Sequence, residues 1–267
     1  MDATLIAAAA LWGAVAGLLV PRAAYRFSVE PEEPWRDACP AGHALTGPVR
    51  GWLGSTRCAA CAVAVPSLPG RTASGETQAQ TPAPAAPRYA PAVLAPLVTV
   101  LACAALAAAT GSRPEIAVWL LLTPVAVLLA VIDRRVHRLP DRLTLPLASS
   151  AALLLGVIAL VPEHAGSWTS ALLGGLALGG FYLLLFLINP NGMGFGDVKL
   201  ALALGVPLGW YGWAVLCAGG FAGFLLGALY GLGLMLLRRA GRRTGIPFGP
   251  FMIAGALIGV LFGGLAA

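Results

Sequence analysis

The chain has 267 residues, 58% of them hydrophobic and only 10% charged, with a formal charge of +6. So apolar a composition excludes a water-soluble globular domain and marks an integral membrane protein. The positive balance comes from arginines beside apolar segments, which hold topology and meet anionic lipid, so no nucleic-acid partner is implied.

The first apolar run, near 3 to 20, is preceded only by Asp2 and followed by Arg22 and Arg26. That order is the reverse of a secretory signal, and the segment reads as an uncleaved anchor. Residues 21 to 90 form the one long polar stretch. Its first half carries Cys39-Pro-Ala-Gly-His43 and Cys58-Ala-Ala-Cys61. Cys-x-x-Cys with a second Cys/His pair is a way to assemble four tetrahedral zinc ligands in a small domain without a core of its own, so Cys39, His43, Cys58 and Cys61 are the candidate ligands of a structural zinc. A cytoplasmic position, where thiols stay reduced, favours metal over disulfide. Residues 67 to 90 are rich in Pro, Ala and Thr and predict a linker.

Apolar runs of about the length needed to cross a bilayer as helix follow near 91 to 110, 115 to 132, 143 to 161, 168 to 188, 198 to 217, 218 to 237 and 246 to 265. The expectation is an all-α membrane protein of about eight transmembrane helices with a small cytoplasmic Cys/His insert after the first. Its parts are the first helix (1–20), the insert and linker (21–90) and a polytopic membrane domain (91–267). Gly219, Gly220 and Gly223 are taken as the boundary between the sixth and seventh spans. Cys103 and Cys217 fall inside spans and read as small apolar packing residues.

Placing the N-terminus outside leaves Arg113 as the lone outer member of the 17 basic residues, as the positive-inside rule requires. Two aspartates then sit at the cytoplasmic ends of spans: Asp133, and Asp197 after the alternating Gly192, Gly194 and Gly196. Ionisable groups at a membrane edge are costly and point to function. Two carboxylates sharing one proton can hydrolyse a peptide bond without a nucleophilic side chain, one as base toward water and one as acid toward the carbonyl oxygen. Asp133 ends its helix, where the dipole disfavours negative charge, whereas Asp197 begins one; Asp133 is therefore expected to carry the shared proton. The glycines would permit positive φ and close approach of an extended substrate, or simply form an interhelical turn. Lys199 would stabilise Asp197 or reach lipid headgroups, and Arg134, Arg135 and Arg138 would enforce topology or meet an acidic group of the substrate.

Ile132-Asp133 through Leu139-Pro140-Asp141-Arg142-Leu143-Thr144-Leu145-Pro146, with Gly194-Phe195-Gly196-Asp197-Val198-Lys199-Leu200, resembles the bacterial type IV prepilin peptidases, membrane aspartyl proteases with a Gly-x-Gly-Asp signature. Cys39-Pro40, the stretch from Trp52-Leu53 to Cys61, and Pro247 to Phe251 extend the resemblance. It implies that Asp133 and Asp197 are the catalytic pair and that Asp141 holds the neighbouring loop. The implied substrate is a prepilin or pseudopilin, cut at the cytoplasmic face of the bacterial inner membrane between a short basic leader ending in Gly and an apolar helix. Leu18-Leu19-Val20-Pro21-Arg22 and Gly42-His43 depart from the family pattern. N-methylation of the new terminus with S-adenosylmethionine, which the family's amino-terminal part serves, is therefore a weaker implication than proteolysis. Two other classes would use the same aspartates or scaffold: a proton or cation transporter, and a noncatalytic assembly factor of a pilus or secretion apparatus.

Overall fold

A computed structural model of the chain describes residues 2–30, 32–63, 93–190, 192–237 and 246–267. The predicted linker over 67–90 and the basic cluster Arg238, Arg239, Arg242 and Arg243 lie outside the described residues. The described helical segments are α1 (Ala3–Phe27), α2 (Pro48–Gly51), α3 (Ala59–Val63), α4 (Leu94–Thr110), α5 (Ile116–Val136), α6 (Asp141–Ile158), α7 (Trp168–Ile188), α8 (Phe195–Trp210), α9 (Trp213–Leu236) and α10 (Gly249–Ala266). Among the described residues there is no strand, only an isolated bridge between Ala38 and Ala44. The protein is an all-helical, multi-pass membrane protein.

Six helices, α1, α5, α6, α7, α9 and α10, are long and apolar enough to cross a membrane. The 17-residue α4 is apolar but shorter, and the 16-residue α8 carries Asp197 and Lys199. All eight expected segments are therefore helical, six of them long and apolar enough to cross and two of them shorter.

Helix α8 explains its own brevity. Its residues from Ala203 to Trp210 are all buried, because α6, α7, α9 and α10 pack around it. A helix enclosed by protein need not match the hydrocarbon thickness. A second group, α1, α4 and α5, packs together beside it, and α10 touches both groups. Side chains such as Leu18, Leu153, Leu176, Leu187 and Leu236 stay exposed on the outside, the arrangement expected when the solvent is hydrocarbon.

The boundary between α8 and α9 is not at the glycines named above. It lies at Tyr211 and Gly212, the latter at φ 100, while Gly219, Gly220 and Gly223 lie within α9. Their role is packing: a Cβ on Gly255 of α10 would come within 2.3 Å of the Gly223 nitrogen and 2.5 Å of the Gly219 carbonyl oxygen. Small residues let membrane helices approach this closely, where no hydrophobic drive separates helix from lipid.

The amino-terminal helix also runs past its expected end near Val20, to Phe27. Its last turns are covered by the Cys/His insert. Arg22 and Arg26 are buried there, Arg22 Nη2 donating to the Thr46 carbonyl at 2.6 Å and Arg26 Nη1 to the Arg50 carbonyl at 3.0 Å. Tyr25 Oη donates to the Ala38 carbonyl at 3.1 Å. The insert is thus stapled to the helix by Tyr25 and by two arginines that the sequence presented only as topology signals.

Candidate active site and metal cluster

Asp133 lies three-quarters of a turn before the end of α5, which stops when His137 takes a left-handed conformation at φ 50 and its N–H bonds the Asp133 carbonyl at 2.8 Å. The short connection that follows buries Leu139 and enters α6 at Asp141. Asp197 sits in the first turn of α8, where its carboxylate reaches back to accept from the Gly194 N–H at 3.3 Å. That bond satisfies a backbone donor at the helix start.

Both carboxylates are buried, Asp133 at 4% and Asp197 at 9% exposure, and they lie within each other's electrostatic reach. Among the described residues α8 does not pack directly on α5; α6 and α10 touch both. The pair is therefore held by third parties. Leu139 is one, its Cβ so placed that a Cβ on Gly196 would lie 3.1 Å from it. Gly249, at the start of α10, is the other: its N–H donates to Asp133 Oδ2 at 2.9 Å. Each aspartate accepts one backbone bond. The shorter goes to Asp133, so hydrogen bonding offsets the dipole argument for placing the shared proton there.

Gly192, Gly194 and Gly196 are absent from the positive-φ residues. The positive φ that they would permit is not used, and they lie in the connection between α7 and α8 and the first turn of α8. Gly194 is the N-cap of α8, at φ −75, and Gly196 gives room to Leu139. Lys199 pairs with Asp141 at 2.6 Å and not with Asp197, with its ammonium 4.8 Å from the Phe195 ring centroid. Asp141, at the start of α6, is thus tied to a lysine of α8.

Tyr182 of α7 was not singled out by the sequence. It is 1% exposed, within electrostatic reach of Asp197, and packs with Phe224 and Phe248 at 5.3 and 6.3 Å between centroids. A tyrosine inside an apolar run gives no signal in the sequence that it faces a carboxylate; only packing reveals it.

On the insert, the four expected ligands converge. The donor atoms of Cys39, His43, Cys58 and Cys61 all lie within 4.8 Å of one another. Cys39 Sγ is 3.8 Å from Cys61 Sγ, and Cys61 Sγ is 3.2 Å from His43 Nδ1. A tetrahedron with metal–sulfur bonds of about 2.3 Å has sulfur–sulfur edges of about 3.8 Å, so the donor set fits a tetrahedral ion. Burial opposes ionisation of Cys39, yet hydrogen bonds from the Ala41 and His43 backbone and from the His43 and Cys58 side chains draw its thiol down to about 6. Burial and the neighbouring thiols push Cys61 up to about 11. Cys103 is fully buried, as a packing residue should be, whereas Cys217 is exposed on α9.

Residues 120–264 match the profile of the type IV leader peptidase family. The chain belongs to that family. The matched stretch contains both aspartates, Asp141, Lys199 and Gly249. Among relatives named prepilin leader peptidase/N-methyltransferase, that of Aeromonas salmonicida strain A449 is 39% identical over 145 residues, covering 54% of this chain and 48% of the relative. That of Aeromonas hydrophila is 36% identical over 182 residues (68% and 60%), and that of Bacillus subtilis strain 168 is 31% identical over 172 residues (63% and 65%). This leader peptidase family member thus spans about half to two-thirds of the length of the relatives it matches. No solved structure matches the chain.

Proposed function

We propose that the protein is a membrane aspartyl endopeptidase that removes the short basic leader of prepilins or pseudopilins after Gly, at the cytoplasmic face of a bacterial inner membrane. The observation that carries this reading is the pair of buried aspartates, Asp133 and Asp197, within each other's electrostatic reach inside the stretch that matches the leader peptidase family. Both lie at an end of their helices. A transporter that relays ions would be expected to hold its carboxylates near midplane, and a noncatalytic scaffold has no need to bury two of them.

In the proposed reaction the ionised aspartate takes a proton from water as the water oxygen adds to the scissile carbonyl carbon. The protonated aspartate gives its proton to the carbonyl oxygen. Collapse of the resulting diol breaks the C–N bond: the amine leaves with the proton just taken from water, and a diol hydroxyl returns its proton to the second aspartate as the carbonyl re-forms. The pair ends with one proton, as it began, and titrates as a unit.

Cys39, His43, Cys58 and Cys61 would hold a structural Zn²⁺, which supplies folding energy to an insert with little core of its own. The relatives' name includes N-methyltransferase activity. Transfer of a methyl group from S-adenosylmethionine to the new N-terminus is a separate activity, to be assayed on cleaved product.

The test is cleavage of a peptide with a basic leader ending in Gly before an apolar helix, using purified protein in lipid. Cleavage after Gly by the wild type and by neither Asp133→Asn nor Asp197→Asn supports the reading. An intact peptide with folded wild-type protein, across several leaders, removes it.

A further inference from the structure

A cavity of about 510 Å³ runs between α4, α5 and α10, and neither Asp133 nor Asp197 lines it. On α5 its lining extends from Trp119 to Arg135, a length of about 24 Å at the helical rise. Its walls are almost wholly apolar, with small residues such as Ala126, Ala130 and Ala254 setting its depth. Arg134 and Arg135 form one end. Neither has a hydrogen bond or ion pair among the described residues, and Arg36 of the insert lies within electrostatic reach of Arg135. Like charges gathered without a counter-ion at the end of an apolar slot are costly, and an anion there would relieve the repulsion.

The shape decides what kind of anion. A cavity of about 510 Å³ drawn out over about 24 Å of α5 is a long slot rather than a rounded pocket. Its elongated apolar wall with a cationic end matches one extended hydrocarbon chain carrying an anionic head.

We propose that this slot binds an anionic phospholipid, with one acyl chain between α4, α5 and α10 and the phosphate against Arg134 and Arg135. Its outer end lies where the headgroup layer begins, because α5 leaves the apolar region at Asp133 and its arginines. Pro250 also lines the slot and follows Gly249, the residue bonded to Asp133. The bound chain therefore packs against the support of a candidate active-site carboxylate.

The experiment is native mass spectrometry of the full chain in detergent, titrated with phosphatidylglycerol, with phosphatidylcholine of the same acyl chains, and with inorganic phosphate. The wild type should retain phosphatidylglycerol preferentially, by about five-fold for each arginine engaged. Arg134→Gln/Arg135→Gln should lose that preference, Arg134→Lys/Arg135→Lys should keep most of it, and Ala254→Leu should weaken both lipids alike by filling the slot. Equal retention of the two lipids by the wild type, a measurement that needs no variant, overturns the proposal. So does displacement of the lipid by millimolar phosphate, which would make this a free-anion site, or by a membrane-length apolar peptide, which would make it a helix-docking face.

Discussion

The backbone N–H of Gly249 donates to Asp133 Oδ2 at 2.9 Å, and a Cβ on residue 249 would lie 2.9 Å from that same oxygen and 3.2 Å from Cγ. One residue on α10 both holds the candidate catalytic carboxylate and leaves it room. Gly249→Ala should force the carboxylate aside while keeping the helix, since alanine suits a helix start at least as well as glycine. A displacement of about 1 Å at a reacting group costs on the order of 10²-fold in rate. Peptide cleavage should fall by that amount with the melting temperature in lipid nearly unchanged. A variant that cleaves at the wild-type rate would show that Asp133 does not depend on this contact.

The pair Lys199 and Asp141 tests how the two helix starts are tied. Their side chains are 21% and 58% exposed, so solvent screens the interaction and its loss should cost no more than about 1 kcal/mol. Asp141→Asn and Lys199→Gln should each lower cleavage modestly by loosening the loop between α5 and α6. The exchanged pair Asp141→Lys/Lys199→Asp should recover part of the loss. Equal activities in both single variants and the exchange would reduce the pair to a surface contact.

Much of this arrangement was legible in the residues. Hydropathy found all eight apolar helices because burial in lipid demands long apolar runs, and the Cys and His spacing picked out the four side chains that come together on the insert because such clustering is local. What failed depended on partners distant in sequence. Gly219 and Gly223 looked like a turn because glycine is the residue of turns, yet Gly255 lies against them on α10. Lys199 is two residues from Asp197 but points to Asp141, 58 positions away. Gly249 carried no chemical group to draw notice; its contribution is a backbone N–H and an absent Cβ.

The thiols give the metal-free insert a pH dependence whose sign can be worked out. Cys39 falls from an ordinary 9.0 to about 6, so between those values the unfolded insert holds a proton that the folded one has released, and stability rises with pH. Cys61 rises from 9.0 to about 11, so above 9 the folded insert keeps a proton that the unfolded one has lost, and stability falls. Unfolding of chelator-treated protein, followed through the fluorescence of Trp35 and Trp52, should show maximal stability near pH 9. With zinc restored the acid limb should move below about pH 6, because metal competes with the proton for the thiolate. A metal-free insert equally stable at pH 6 and pH 9 contradicts the thiol geometry.

Arg22 separates a structural clamp from a topology signal. Its Nη2 donates to the Thr46 carbonyl and its Nη1 to the Ser55 carbonyl at 3.5 Å, so one guanidinium gathers the two sides of the loop that precedes Cys58. A lysine keeps the positive charge that fixes orientation but cannot span both carbonyls in the same way. Arg22→Lys should therefore leave membrane topology intact while speeding metal loss to chelator, and Arg22→Gln should speed it further. Hydrogen bonds to a charged group contribute about 1.5–3 kcal/mol, which corresponds to roughly ten- to a hundred-fold in the rate of metal release if the clamp opens before the ion leaves. Equal release rates in the wild type and Arg22→Lys would assign this arginine to topology alone.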